Sequence, residues 1–133
     1  MGLGFRVTTP LAVDNGGAML DSKGRKNGDG IWGKTADWCD YSGMINGRRI
    51  GMTVMCHPEN FRPSWMHARD YGLILANPFG RKAFLGGEPS KVVVAPGEEL
   101  RLRYGVFVHG TAQDAVPDLK SVYEDYLTLT EKD

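Results

Sequence analysis

The most regular pattern in the chain is the alternation of apolar and polar residues on either side of Asn46-Gly47. Asn-Gly is the preferred pair for a two-residue type I′ turn, because both of its central positions need a positive φ. The pattern therefore predicts that residues 36–45 and 48–57 are antiparallel strands joined by this turn.

The turn also predicts the register of this hairpin. It places four pairs opposite each other: Ile45 with Arg48, Gly43 with Ile50, Tyr41 with Met52, and Cys39 with Val54. The side chains expected to face the core are Cys39, Tyr41, Ile50, Met52, Val54 and Cys56. We expect the opposite face to be either solvated or a binding surface, and it carries Trp38, Asp40, Ser42, Arg49, Thr53, Met55 and His57.

Other apolar runs predict further strands. They cover residues 3–13, bent or broken at Pro10, residues 70–77, and a second hairpin made of residues 91–94 and 100–109. In its last strand the alternation places Val106 and Val108 on one face and Phe107 and His109 on the other. The intervening segments 14–30 and 58–68 are expected to be an exposed loop or short polar hairpin and an irregular excursion, respectively.

Near the C-terminus the period of the apolar positions changes from two to about 3.6 residues. This change predicts one amphipathic helix at about residues 114–128, with Asp114 or Asp118 as its cap.

The expected fold class is mainly β, an antiparallel β-sandwich with one C-terminal α-helix. Residues 1–133 are expected to form a single domain.

Composition narrows the range of partners. The 16 basic and 16 acidic residues give a formal net charge of zero, so nucleic acid and anionic membrane surfaces are not expected partners. The start of the chain has neither a basic leader nor a small-residue cleavage site, and no apolar run approaches the length of a bilayer span. A soluble chain without a signal peptide is expected, while its compartment stays unassigned.

Three histidines are the first candidates for chemistry. His57, His67 and His109 fall at or near predicted strand ends, and a curved sheet would let them converge. Three neutral imidazoles can hold copper or zinc with one open position. Their spacing matches no standard metal motif, so a copper or zinc site is an alternative hypothesis and no cofactor is certain.

A second possibility needs no metal. An imidazole beside a carboxylate can transfer protons near neutral pH, so His57 or His67 with Asp40 or Asp70 is a candidate acid–base pair. Arg69 is a candidate for holding an anionic or hydroxyl-rich substrate.

The aromatic residues extend this second possibility. Trp32, Trp38, Trp65 and Tyr71 offer flat apolar faces, and sugars present both C–H surfaces and hydroxyl groups. Together with Arg69 they are typical of a saccharide-binding site. The alternative is that the tryptophans lie in the core and that Arg69 and Asp70 form a structural ion pair.

The two cysteines share a predicted face. Cys39 and Cys56 lie diagonally across the predicted hairpin, not directly opposite each other, so free core thiols are expected.

Three longer motifs carry a family resemblance. GKTADWCDYSG at 33–43, CHPENFRPSWMHARDYGLILANPFG at 56–80 and PGEELRLRYGVFVHG at 96–110 resemble, in order and spacing, the bacterial PmoA-like family, labelled "methane oxygenase PmoA". The resemblance covers about the C-terminal half of a typical member. It implies half of a supersandwich similar to that of galactose mutarotases, in proteins that often occur with sugar-degrading and sugar-oxidising enzymes.

The resemblance also implies a set of polar site residues. In this sequence they are Trp38, Asp40, His57, Asn60, Trp65, His67, Arg69, Tyr71, Asn77 and His109. A usual member has Asp where this chain has Cys56.

Three functional hypotheses follow. The first is a saccharide-binding or saccharide-processing protein, with His57, His67, Asp40 and Arg69 as catalytic candidates. Its expected substrate-binding residues are Trp38, Asn60, Trp65, Tyr71 and Asn77. The second is the three-histidine metal site. The third is a non-catalytic half-domain, and for all three we expect a homo-oligomer formed through exposed sheet edges.

Overall fold

The computed structural model describes residues 2–112 and 115–131. Its strands are β1 (Leu3–Arg6), β2 (Ala18–Asp21), β3 (Trp38–Ile45), β4 (Arg48–Cys56), β5 (Trp65–Arg69), β6 (Leu73–Asn77) and β7 (Tyr104–Ala112). Its α-helices are α1 (Asn27–Ile31), α2 (Arg81–Leu85) and α3 (Leu119–Thr130). The strands form two antiparallel sheets, with the orders β1-β6-β5 and β2-β3-β4-β7. The predicted fold class is therefore confirmed: the protein is mainly β, with one C-terminal helix.

The main core lies between the two sheets. It contains Met19, Cys39, Tyr41, Val54 and Cys56 from one sheet and Met66, Ala68, Ile74 and Ala76 from the other. Each of these sets alternates along its strands with residues on the outer face, as expected for sheets that bury one face against each other.

The β3–β4 hairpin has the predicted register. Ile45 pairs with Arg48 and Cys39 pairs with Val54. Asn46 and Gly47 have φ values of 51° and 76°, which a type I′ turn requires.

The outer face of this hairpin differs from the prediction. Trp38 and Met55 are buried in a second apolar cluster with Leu119 of α3, and Phe107 packs against it. The face is therefore neither solvated nor an open binding surface, because α3 covers this end of the sheet.

Helix α3 begins later than predicted. Asp118 is its N-cap, and the Asp118 side chain accepts a hydrogen bond from the backbone N–H of Ser121 at 3.2 Å. Pro117 disfavours helical geometry at the residue before it, so residues 115–118 stay outside the helix. The alternative cap, Asp114, lies outside the described residues. None of the helices in the described ranges combines the length and apolar character that a bilayer span requires.

The N-terminal segments also differ from the prediction. β1 ends at Arg6, and two short 3-10 turns follow at Thr9–Leu11 and Val13–Asn15. Pro10 lies in the first of these turns, where its fixed φ fits and its missing N–H is not needed. The predicted loop at 14–30 contains β2 and α1, because Ala18–Asp21 finds a pairing partner in β3.

The segment WMHARDYG forms β5 and the turn that follows it. Residues Trp65–Arg69 pair with Leu73–Asn77 as a hairpin, so the predicted irregular segment 58–68 ends four residues earlier than expected, at residue 64. The predicted strand 70–77 begins only at Leu73, because Gly72 with φ 116° belongs to the connecting turn.

The predicted second hairpin is wrong. Residues 91–103 form no strand, and β7 begins at Tyr104. β7 pairs with β4 along nearly its whole length. The short segment 91–94 has the composition of a strand, but the edge of β4 offers β7 a longer pairing partner.

Candidate functional site

A broad cleft lies beside β5. It has a volume of about 820 Å³, and it is bordered by α1, the loop at 32–35, the end of β5 and α2. Small-molecule sites have volumes of roughly 300–1,000 Å³. The cleft is therefore large enough for a small ligand.

Backbone pairing holds the 32–35 loop against β5. Gly33 N–H donates to the carbonyl of Met66 at 2.8 Å, and Met66 N–H donates to the carbonyl of Lys34 at 2.9 Å. Gly33 has a φ of +75°, a conformation that glycine adopts without steric cost. The loop therefore extends the sheet beyond β5 and brings Trp32 and Lys34 to the cleft.

Helix α1 is joined to the end of β5 through Asp70. The Asp70 Oδ1 atom accepts a hydrogen bond from Gly28 N–H at 2.8 Å. A Cβ atom at Gly28 would lie 2.9 Å from the same oxygen. Position 28 therefore needs glycine, because the backbone must approach this carboxylate closely.

An aromatic cluster forms one wall. The Trp32 and Phe84 rings meet edge to face at 5.1 Å, and the His67 ring lies 5.9 Å from Phe84 and 6.5 Å from Trp32. Such edge-to-face geometry is favourable for aromatic pairs. The Trp32 Nε1 atom is buried and has no hydrogen-bond acceptor in the described residues.

Arg69 is fixed by two contacts of its side chain. Its Nε–H donates to His67 Nε2 at 3.0 Å, and its guanidinium lies over the Trp32 ring, 5.5 Å from the centroid. Since Nε2 accepts this hydrogen bond, the neutral His67 ring carries its proton on Nδ1. Burial, and then the nearby Arg69 charge, lower the pKa of His67 below its ordinary value.

The remaining charges of the cleft divide into paired and unpaired groups. Arg25 binds the buried Asp21 carboxylate at 2.7 Å and also donates to the Thr35 carbonyl. Within the described residues, Lys34, Asp29 and Arg69 belong to no ion pair.

Trp65 lines the cleft with a half-buried indole. In the described ranges this ring has no aromatic neighbour, no cation over its face and no hydrogen bond. Because the indole is only half buried and borders the cleft, part of its surface is accessible to a ligand, whereas one face of Trp32 is already covered by Arg69.

Other predicted site residues lie elsewhere. His57 is buried, and its Nε2 atom lies 3.0 Å from Thr130 Oγ1 in α3. Asn60 is buried and pairs twice with the backbone of Arg103, at 2.9 and 2.7 Å. Both side chains bind parts of the fold to each other and do not reach the cleft.

A buried polar group links β3, β4 and β7 on the outer face of the larger sheet. The Asp40 Oδ1 atom accepts from Thr53 Oγ1 at 2.7 Å and lies 2.6 Å from His109 Nε2. Both partners, Asp40 and His109, are buried. The proposed pairing of Asp40 with His57 or His67 is wrong, because the sheet places His109 beside this carboxylate. Trp38 of the same face packs under α3.

The last two predicted binding residues belong to turns. Tyr71 is half exposed in the β5–β6 turn, with the Arg6 guanidinium 5.2 Å from its ring centroid. Asn77 Oδ1 accepts from the backbone N–H of Phe79 at 2.9 Å, which is a typical side-chain turn contact.

The three histidines do not converge. β4 and β7 are antiparallel and pair Gly51 with His109. His57 follows the end of β4, six residues beyond Gly51, which places it roughly 20 Å away. His67 belongs to the other sheet. In the described ranges, no group of three His, Cys, Asp or Glu side chains is arranged to hold a metal ion. The expected three-histidine site is therefore not formed.

The cysteines are free and buried, as predicted. Burial raises the pKa of Cys39 well above its ordinary value and that of Cys56 to about 12. Neither thiol is thus ionised near neutral pH, and nucleophilic thiol chemistry is not supported.

Of the residues predicted from sequence, Trp32, Trp65, Arg69 and Asp70 line the cleft, and His67 packs behind them against Trp32 and Arg69. Gly28, Asp29, Lys34 and Phe84 also contribute, and sequence reasoning missed them. The polar segment around Gly28 gives no periodic signal, and α2 reaches the cleft only through the tertiary fold.

One family model matches the chain, over residues 1–117, and it describes a family of unknown function (DUF6807). No curated protein and no solved structure matches the chain. The expected membership of the PmoA-like family is wrong, because the matching model is a different one. The link to sugar-processing enzymes that this resemblance implied is lost with it. Any case for a saccharide ligand therefore depends on the cleft itself.

Proposed function

Since the chain belongs to the DUF6807 family of unknown function, we propose its function from the cleft: the protein binds a saccharide beside β5. The observation that carries this proposal is the combination of the accessible Trp65 ring with charged side chains around one concave surface. Sugar rings pack their C–H faces on aromatic rings and direct their hydroxyl groups to polar side chains.

The two kinds of contact are available on neighbouring parts of the cleft. Trp65 supplies the apolar face, while Arg69, Lys34, Asp29 and Asp70 supply hydrogen-bond donors and acceptors around it. Trp65 and Arg69 belong to the same strand, four residues apart, on the same face of the sheet. Four strand residues span roughly 13 Å, so a short oligosaccharide with one ring on Trp65 can extend along the strand toward Arg69.

The geometry favours binding over proton transfer by His67. A general base needs a free lone pair, and the Nε2 lone pair of His67 already accepts a hydrogen bond from Arg69. Asp70, the carboxylate that sequence reasoning paired with it, instead accepts from Gly28. His67 thus positions Arg69.

The proposal is tested by saccharide binding to the Trp65→Ala variant. Glycan-array screening identifies a saccharide, and calorimetry with it is then expected to give at least about tenfold weaker binding, or about 1.4 kcal/mol, because the packing surface is lost. Tyr71→Ala is the matched control, since Tyr71 is an aromatic residue of the same hairpin outside the cleft lining. Its affinity is expected to equal that of the wild type.

Two results would contradict the proposal. One is the absence of binding to any saccharide on the array by the folded wild-type protein. The other is equal binding by the wild type and a folded Trp65→Ala variant.

A second candidate function is self-association through β7. β7 is at the edge of the larger sheet, and its Val106 and Val108 side chains remain 46% and 68% exposed. They are on the core-facing side of the strand, opposite Val54 and Met52, but the narrower sheet does not cover them. An uncovered apolar edge strand can pair with a second copy of the chain.

A further inference from the structure

We propose that the sugar bound in the cleft carries a carboxylate, as in a uronic acid residue, and that Arg69 binds this group. The inference rests on the proposed saccharide function and specifies its ligand class. It depends on the orientation of Arg69, on the unpaired cations of the cleft, and on the position of Trp65.

The Arg69 guanidinium is held in place before any ligand binds. Its Nε–H is bound to His67, its flat face lies on Trp32, and the backbone carbonyl of Arg69 accepts from Tyr41 Oη at 3.0 Å. Tyr41 is fully buried between the sheets. A guanidinium fixed in this way loses little conformational entropy when it binds an anion.

The two terminal nitrogens of Arg69 remain available. In the described part of the chain they have no hydrogen-bond partner and no carboxylate within ion-pair distance. The contrast is Arg25, whose guanidinium on the same cleft is bound to Asp21 and to the Thr35 carbonyl. Arg25 is therefore a structural cation, while Arg69 presents a two-pronged donor to the cleft.

This donor fits a carboxylate. The two terminal N–H groups of a guanidinium match the two oxygens of a carboxylate in a bidentate pair, which is stronger than a contact between neutral groups. Lys34 adds a second unpaired cation to the lining. The two carboxylates of the lining do not neutralise Arg69 directly, since Asp70 binds Gly28 and Asp29 belongs to no ion pair within the described residues.

The position of Trp65 restricts the ligand to a molecule that combines a ring with the anion. A free carboxylate or phosphate would engage Arg69 and leave the aromatic surface unused. Trp65 and Arg69 are four residues apart on β5, or roughly 13 Å. A short chain of uronic acid residues meets both features across this distance, because one ring can pack its C–H face on the indole while a carboxylate reaches Arg69.

The experiment compares each acidic sugar with its methyl ester, which differs mainly in charge. The probes are trimers of galacturonic, guluronic and mannuronic acid and their fully methyl-esterified forms, titrated by calorimetry against the wild type and Arg69→Lys. The wild type is expected to bind at least one acid about tenfold or more tightly than its ester. In Arg69→Lys this preference is expected to fall to about threefold or less, since an ammonium cannot form the bidentate pair.

Arg6→Lys is the matched control. The Arg6 guanidinium lies over the Tyr71 ring much as Arg69 lies over Trp32, but outside the cleft lining. Arg6→Lys is expected to keep the full preference for the acid. Trp65→Ala is expected to weaken the acid and the ester alike, which separates the ring contact from the charge contact.

The outcomes distinguish this inference from the proposed function. If other saccharides bind but no acid binds more tightly than its ester, the carboxylate assignment is wrong and saccharide binding stands. If no saccharide binds, both fail. If inorganic phosphate binds as tightly as the preferred acid, the site is one for a free anion, and the inference is overturned. A preference that survives Arg69→Lys assigns the carboxylate to another cation and equally overturns it.

Discussion

At the scale of single residues, the contact between His67 and Arg69 decides how the cleft can work. A neutral imidazole accepts from the guanidinium, whereas a protonated one would repel it. The low pKa of His67 therefore belongs to the same arrangement that orients Arg69 over Trp32. The acid–base role expected for His67 from sequence gives way to a positioning role, because the partner is an arginine two residues away on the same face of β5.

This contact predicts a pH dependence of stability. His67 has a lower pKa in the folded protein than in the unfolded chain, so its favourable contribution is complete above about pH 6.5 and is lost as the pH falls below that value. We expect His67→Gln to lose less stability than the wild type between pH 7.5 and pH 5, measured by urea unfolding at each pH. Tyr71→Ala, which removes no group titrating in this range, is expected to follow the wild type. An identical pH dependence in His67→Gln and the wild type would show that His67 is not held neutral.

At the scale of elements, the β3–β4 hairpin is the part that local chemistry specifies most completely. Both positions of its turn require a positive φ, and the alternation of the strands permits a single register with the apolar set inside. The pairing of β7, in contrast, depends on residues that are distant in sequence. Its own residues indicate a strand, but its partner is β4, which is some fifty residues distant in sequence.

The positive φ of Gly47 predicts how a substitution in this turn changes stability. Gly47→Ala is expected to destabilise the protein by about 1–2 kcal/mol, because alanine is strained at positive φ. No atom lies within 4 Å of the added Cβ, so packing does not contribute to the loss. Gly30→Ala is the control, since its φ is not positive and its nearest contact is an ordinary 3.5 Å. Thermal or urea unfolding measures both, and a Gly47→Ala variant as stable as the wild type would contradict the turn assignment.

At the scale of the whole molecule, two sheets of unequal width cover each other incompletely. α3 covers part of the outer face of the four-stranded sheet, although the family match ends at residue 117, before this helix. The edge of β7 remains uncovered on the other side. The cleft lies away from both features, at the end of β5, so assembly through β7 and binding in the cleft are separate properties.

Self-association is expected to depend on that edge. If β7 pairs with a second copy, Val108→Lys places a charge in the interface and is expected to shift the protein from dimer to monomer in size exclusion with light scattering. Leu129→Lys is the control, because Leu129 is also strongly exposed but lies on α3. A wild type that is monomeric at all concentrations, or a dimer that persists in Val108→Lys, would contradict this candidate function.

The candidate site could be predicted only in part. Trp65, His67 and Arg69 share one face because they alternate along β5, but the sequence predicted an irregular segment at 58–68 and so did not predict this common face. The remaining predicted residues were grouped by chemistry alone. His109 lies on β7, and His57 follows the end of β4, so the two rings are at different heights on the sheet. Asn60 binds the backbone of Arg103, and Asn77 binds a backbone N–H of its own turn. Residue type does not reveal such distances.

The sequence by itself determined the mainly β class, the hairpin register, the C-terminal helix and the free cysteines, because each follows from contacts between residues close in the chain or from their period. Tertiary structure alone decided that α3 buries the outer face of the hairpin and that Asp40 meets His109. It also decided that α1 and α2 close a cleft around Trp65 and Arg69. These arrangements join segments far apart in sequence, and their geometry depends on how whole sheets and helices pack rather than on local pattern.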